Sequence, residues 1–234
     1  MNTSKWQAIV FDLDDTLYPE RNYVLSGLRA VADWAEAHLN IPSATAFADL
    51  KSLFDQGVRG DTFNRWLSAN RIANDGLAPQ LVQVYRAHEP SLTPFPKVME
   101  LLALLRKDYR LGLVSDGFLP VQQRKLAALG LAECFDAIVF SDEWGRAAWK
   151  PSTIPFEVVS QRLGVCSSHS VYVADNPIKD FLGARRVGMF TVQVCRPDSE
   201  YIAQLPPTPE HAPHVTITSL DELTSILSEV QPVS

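Results

Sequence analysis

The sequence predicts an α/β fold: a doubly wound parallel sheet with an α-helical module inserted into it. Three observations carry this. Short, almost wholly apolar runs recur along the chain: QAIVF at 7–11, LGLV at 111–114, AIVF at 137–140, VYVA at 171–174 and FTVQV at 190–194, with a weaker HVTI at 214–217. Continuous apolar runs of this length suit strands buried on both faces. Between them, residues recur at helical spacing, and the alternation of strand and helix predicts a doubly wound sheet. Finally, the interval from the first run to the second is far longer than the ~30 residues of a βαβ unit.

Taken in order, the first strand stops at Asp12, and the long interval then begins. Val24, Leu28, Val31, Ala35 and Leu39 form one stripe, Phe47, Leu50 and Phe54 a second, Phe63, Trp66 and Leu67 a third, and Leu77, Leu81, Val84 and Tyr85 a fourth. Each has the spacing of an amphipathic helix. Breaks at Asn40–Pro42, Gly57–Gly60 and Asp75–Gly76 are turn chemistry. A helical cap domain is therefore expected over 18–93, with 1–17 and 94–234 forming the α/β core. The stretch from Ser91 to Pro96 reads as the return hinge. Core helices follow at Val98–Leu105, at Val121, Lys125, Leu126 and Leu129 before Gly130, at Phe156, Val159 and Leu163 before Gly164, and at Ile178, Leu182 and Arg185 before Gly188. A Pro-rich loop at 206–213 precedes the last strand and a helix at 219–229.

Composition narrows the function. The 234 residues are 46% hydrophobic and 21% charged, an ordinary soluble balance. With 21 basic and 27 acidic residues the net charge is -6, which argues against nucleic acid as the main partner. Cys134, Cys166 and Cys195 have no metal or disulfide spacing, which suits a reducing, cytoplasmic setting. No run reaches the ~20 apolar residues of a membrane span, and the first residues do not read as a signal peptide. The histidines lack ligand spacing and are expected at the surface.

Open parallel sheets bind ligands beyond the carboxyl ends of their strands. Asp12, Asp14, Asp15 and Thr16 follow the first strand. Ser115, Asp116 and Gly117 follow the second, and Ser141 and Asp142 the third, with Lys150 further on. Asp175 and Asn176 follow the fourth, with Asp180 just beyond. FDLDDT, VSDG, the Lys-Pro of WKPS and ADNPIKD resemble, in order, the four motifs of the haloacid dehalogenase superfamily of hydrolases. The resemblance covers nearly the whole chain, including a helical cap after the first motif. It implies a Rossmann-like core and the phosphatase branch of that superfamily.

The residues support the same chemistry. A phosphate monoester is inert and anionic, and a carboxylate nucleophile divides its hydrolysis into two easier displacements. A cation must separate the two anions, and Mg²⁺ takes hard oxygens at ~2.1 Å. Asp12, the first acid past the strand, is assigned as nucleophile and metal ligand. Asp14 shares its face if the backbone stays extended and is assigned as general acid and base; the resemblance adds its main-chain carbonyl as a metal ligand. Asp175 supplies a further carboxylate to Mg²⁺, and Asp180 stands behind, holding a metal water or Lys150. Ser115, backbone N–H groups around Asp116 and Gly117, and Lys150 are expected on the phosphoryl group. Thr16 orients the loop after Asp14, and Asn176 supports Asp175 and Asp180.

Plainer roles stand beside these. Ser115 or Asp116 could cap the helix starting near Leu119, and Asn176 with Pro177 is good helix-start chemistry. Arg146 competes with Lys150 as the site cation, because EWGRAAW lengthens the approach to that lysine. Asp142 and Glu143 read as a solvated loop. In the helical insert, Arg59 between two glycines is a candidate substrate contact, with a solvated turn as the alternative. The partner expected is a small phosphorylated molecule, not a nucleic acid or a membrane. A 2-haloacid dehalogenase, a sugar phosphomutase and a non-catalytic binding module are the competing readings. The dehalogenase branch needs no metal and generally lacks the second aspartate of the first motif, so Asp14 and Asp175 speak against it.

Overall fold

The computed structural model describes residues 6–197 and 201–230. Residues 1–5, part of the stretch read as carrying no signal peptide, lie outside them. The chain divides into two compact units, 1–19 with 93–234 and, separately, 20–92.

The larger unit is a six-stranded sheet in the order β3-β2-β1-β4-β5-β6. Its strands are β1 Ala8–Phe11, β2 Arg110–Ser115, β3 Ala137–Phe140, β4 Ser170–Ala174, β5 Phe190–Val194 and β6 Val215–Ile217, all paired in parallel. β1 lies at the centre, with Phe11 opposite both Leu113 and Val173. The strand order reverses around β1, so the ends of β1 and β4 border the crevice where doubly wound sheets take their ligands.

Central placement explains the unbroken apolar sequence of β1, whose four residues are all fully buried. Ala8 and Val10 pack with Val114, Val139 and Tyr172 against Phe156, Val159, Phe181 and Ala184. These last four belong to helices Ile154–Leu163 and Asp180–Arg186. The remaining core helices span Val98–Leu105, Leu119–Leu129 and Leu223–Glu229. The last is preceded by a single tight turn at Leu220–Glu222, where Ser219 and Glu222 form a reciprocal cap. No helix among the described residues is long and apolar enough to cross a membrane.

The smaller unit holds four helices, Glu20–Leu39, Ser43–Asp55, Thr62–Ala69 and Leu77–Ala87. Leu28, Val31, Leu50, Trp66, Leu67 and Leu81 form its buried centre, drawn from all four stripes. His88 is not a surface residue as expected: its ring lies 4.9 Å from that of Tyr23, and its Nδ1 is 2.6 Å from the Tyr85 carbonyl oxygen.

The segments leaving and re-entering the larger unit are tied together. Phe95 donates its N–H to the Leu17 carbonyl at 2.9 Å. Arg196, just past β5, donates to the carbonyls of Asp15 and Thr16 at 2.7 and 2.9 Å and lies over the Phe95 ring. A second close fit involves Gly183, where a methyl group would stand 2.6 Å from the carbonyl oxygens of Pro151 and Ser152. Backbone cannot give way there as a flexible side chain could. Gly183→Ala is expected to destabilise the fold by about 1–3 kcal/mol, read as a lowered midpoint in thermal denaturation. An unchanged midpoint would show that this packing is not close.

Candidate active site

Each acid beyond β1 and β4 is placed by the sheet. Asp12 continues β1, donating its N–H to Val173 on β4 at 2.9 Å. Asp175 follows β4 directly, and Asp180 opens the helix Asp180–Arg186. All three are buried, and each offers a carboxylate oxygen within 4.8 Å of the others. Lys150 reaches them from the loop after β3. Its Nζ stands 2.5 Å from Asp12 Oδ1, 2.7 Å from Asp180 Oδ1 and 3.0 Å from the Tyr172 hydroxyl.

Electrostatics at this point are unbalanced. Burial is the chief cause that raises the Asp12 carboxyl to about 7; Lys150 pulls it back, while Asp180 pushes it further up. Burial, then Asp180 and Asp12, push Asp175 well above the carboxylate range. Burial opposes the charge on Lys150, but Asp12 and Asp180 outweigh it and hold the ammonium well above its ordinary range. Asp175 Oδ2 is buried with no hydrogen-bond partner among the described residues. Lys179 is a second cation near the group and pulls Asp12 and Asp175 down without cancelling the rise. An all-oxygen donor set with an unmatched buried oxygen fits a small hard divalent cation.

Asp14 is held separately. Regular β1 ends at Phe11, and the chain turns just past Asp14, where Asp15 takes a left-handed conformation with φ of 53°. The Asp14 carboxylate accepts from Lys125 Nζ at 2.7 Å, the Tyr18 hydroxyl at 2.5 Å and Gln122 Nε2 at 3.3 Å. Burial would raise this carboxyl, but the charge and hydrogen bond of Lys125, with Tyr18, hold it below its ordinary value.

Ser115 ends β2 and donates to Gln122 Oε1 at 3.2 Å. The Asp116 carboxylate is turned inward, accepting from Ser141 Oγ at 2.6 Å and the Lys150 N–H at 3.1 Å. It therefore braces the Lys150 loop. Gly117 has φ of +128°, and a Cβ there would meet Gln122 Nε2 at 2.4 Å, so glycine is what lets Gln122 approach. Neither Ser115 nor Asp116 caps the following helix; the Leu119 N–H donates to Asp142 Oδ2 at 3.0 Å. Asp142 also accepts from Trp149 Nε1, so it is a structural tie and not a solvated acid. Asn176 donates its N–H to Asp180 Oδ2 at 2.9 Å and accepts from the Ile178 N–H, which sets the carboxylate of Asp180. The Thr16 carbonyl is fixed by Arg196, while its buried hydroxyl has no hydrogen-bond partner among the described residues.

Two other cations were named from the sequence. Arg146 is exposed and lies 5.2 Å from the Trp149 ring centre, so Lys150 is the cation that meets Asp12. Arg59 belongs to the helical unit, where its guanidinium donates to the carbonyls of Phe54 and Val58 and lies over the Phe54 ring. Sequence reasoning missed Lys125, Gln122 and Tyr172. The available signal was a lysine on an apolar helical stripe, since a buried ammonium must be paired.

A family profile described as haloacid dehalogenase-like hydrolase matches residues 9–194. A glyceraldehyde 3-phosphate phosphatase of Methanopyrus kandleri is 31% identical over 233 residues, covering 96% of this chain and 98% of its own. An (S)-2-haloacid dehalogenase of Xanthobacter autotrophicus is 26% identical over 209 residues, covering 85% and 78% of the two chains. The HAD-hydrolase YfnB of Bacillus subtilis, solved bound to magnesium, superposes with a TM-score of 0.72 at 24% identity, over 95% of this chain and 99% of its own. With the profile spanning β1 through β5, and with the strand-end acids gathered as described, the chain belongs to the haloacid dehalogenase-like hydrolases.

Proposed function

We propose that the chain is a Mg²⁺-dependent phosphatase that hydrolyses a small soluble phosphomonoester through an aspartyl-phosphate on Asp12. The observation that carries this reading is the buried group of Asp12, Asp175 and Asp180 beside Lys150, with one Asp175 oxygen unmatched. The Methanopyrus relative, a phosphatase by name, supports the reaction class and suggests glyceraldehyde 3-phosphate as the first compound to test. Free Cys134, Cys166 and Cys195 suit a cytoplasmic setting.

Asp12 and Asp175 would hold the metal, with Asp180 beside them and, by resemblance, the main-chain carbonyl of Asp14. Bound there, Mg²⁺ would neutralise charge between the Asp12 carboxylate and the phosphoryl oxygens. Lys150 adds a fixed positive charge against Asp12, and Asp180 and Tyr172 keep that ammonium in place. In the first step an Asp12 oxygen bonds to phosphorus, the ester P–O bond breaks, and the leaving oxygen takes a proton from the Asp14 carboxyl, which is protonated when the bound phosphoryl anion offsets the charge of Lys125. In the second, Asp14 as carboxylate takes a proton from water, the water oxygen bonds to phosphorus, and the bond to Asp12 breaks. Ser115 can turn its hydroxyl from Gln122 to a phosphoryl oxygen. The helical unit is proposed as a cap over the core, and Arg59 as its substrate contact once released from Phe54.

A haloacid dehalogenase is the reading that the Xanthobacter relative raises. It gives no role to Asp14 under three donors or to the unmatched Asp175 oxygen. Halide release from a 2-haloacid without a divalent cation would reverse the order of the two readings.

Asp12→Asn should lower turnover of phosphomonoesters by about 10⁴-fold or more while the circular dichroism spectrum is retained. Turnover persisting near the wild-type rate would remove Asp12 as the nucleophile. Mg²⁺ at about a hundred times its dissociation constant should add ~2.7 kcal/mol of stability, seen in thermal melts, and Asp175→Asn should lose most of that gain. A gain as large in the variant would place the ion elsewhere. Without a divalent cation, the Asp12 carboxyl holds its proton in the folded chain but not in the unfolded one between 3.8 and about 7. Its contribution to stability is therefore present at low pH and lost as pH rises through that window. Melting curves in chelator should therefore show wild type losing stability relative to Asp12→Asn as pH rises across this range, and a difference that does not change with pH would contradict the raised Asp12.

A further inference from the structure

Asp14 and its surroundings hold more than the reaction as stated requires. Gln122 and Lys125 stand three apart on the helix Leu119–Leu129, so both side chains project from one face. That face delivers an amide and an ammonium to the same carboxylate, and Tyr18 adds a hydroxyl from the opposite direction in the chain. Three donors on two oxygens leave the carboxyl little rotational choice.

Burial separates the roles of the two charged groups. The Lys125 side chain is 3% exposed, whereas that of Asp14 is 17% exposed. The carboxylate faces the open side and the ammonium lies behind it, so Lys125 acts through Asp14. Burying an ammonium is costly and a buried ion pair is weak support for stability, so apolar residues in place of both Lys125 and Asp14 would serve the packing at least as well. Gln122 also connects the pair to the proposed phosphoryl contact, since its Oε1 accepts from Ser115 and its Nε2 donates to the Asp116 carbonyl.

Resting on the reading of Asp14 as general acid and base, we propose that Lys125 is a positioning residue that, with Gln122 and Tyr18, aims the Asp14 carboxyl at the leaving-group oxygen. Proton donation matters most when the departing alkoxide is poor and least when it leaves readily. A misplaced acid therefore slows alkyl phosphates more than activated aryl phosphates, whereas general structural damage slows both alike.

The test uses the full chain with Mg²⁺ in single-turnover experiments, enzyme in excess, so that only the first displacement is read. The substrates are glycerol 3-phosphate, which has an alkoxide leaving group, and p-nitrophenyl phosphate. Lys125→Met should lose about 10²-fold on the alkyl ester and at least tenfold less than that on the aryl ester. Lys125→Arg should recover part of the selective loss, and Asp14→Asn should show the same selectivity at larger size. If Lys125→Met does not fold by circular dichroism and thermal melting, Lys125→Arg and Tyr18→Phe carry the same comparison, each with a smaller selective loss. An Asp14→Asn enzyme without selectivity removes the reading of Asp14, and the proposal with it. A selective Asp14→Asn alongside equal losses, or none, in the Lys125 variants overturns the role of Lys125 alone.

Discussion

Concentrated negative charge in a buried place is the constraint that organises this molecule. Asp12, Asp175 and Asp180 bring carboxylate oxygens within 4.8 Å of one another with little access to water. At an effective dielectric of 20, each such pair of like charges repels by about 3 kcal/mol or more. One ammonium, Lys150, meets two of the three, and Asp175 keeps an oxygen without a hydrogen-bond partner among the described residues. A chain does not hold such a cluster for packing, because apolar residues would fill the space at lower cost.

Much of the larger unit can be understood as support for that cluster. Parallel pairing of β1 with β4 brings Asp12 and Asp175 to neighbouring strand ends, and the central position of β1 keeps both out of water. The loop after β3 is braced at Asp116, whose carboxylate accepts the Lys150 N–H, and at Asp142, which accepts from Leu119 and Trp149. Gly183 lets the helix bearing Asp180 approach the carbonyls just past Lys150. Arg196 fixes the loop after Asp14 from the far side of the sheet order. None of these residues needs to touch a substrate to matter for the chemistry.

The fold was legible because its signals are local: four-residue apolar runs for a doubly covered sheet, and four helical stripes where a βαβ crossover should stand. The acids were legible because each ends such a run, so the sheet alone assigns them to one edge. What escaped notice depends on contacts between segments far apart in the chain. Asp142 looked solvated because its donors, Leu119 and Trp149, are not its neighbours in the helix start it caps. Lys125 looked like one member of a helical face because its partner, Asp14, lies 111 residues away. The donors that hold the Asp14 carboxylate, Lys125 and Gln122, come from a helix more than a hundred residues on, so no local pattern announced them. Arg59, chosen for its place between glycines, is engaged with Phe54 inside the helical unit.

A crystal grown in a manganese salt, with anomalous diffraction to locate the ion, tests the charge cluster most directly. The expected result is one cation within roughly 2.1–2.2 Å of oxygens from both Asp12 and Asp175, with Lys150 still against Asp12. A cation bound away from these two carboxylates, or Asp12 and Asp175 too far apart to share it, would contradict the central claim.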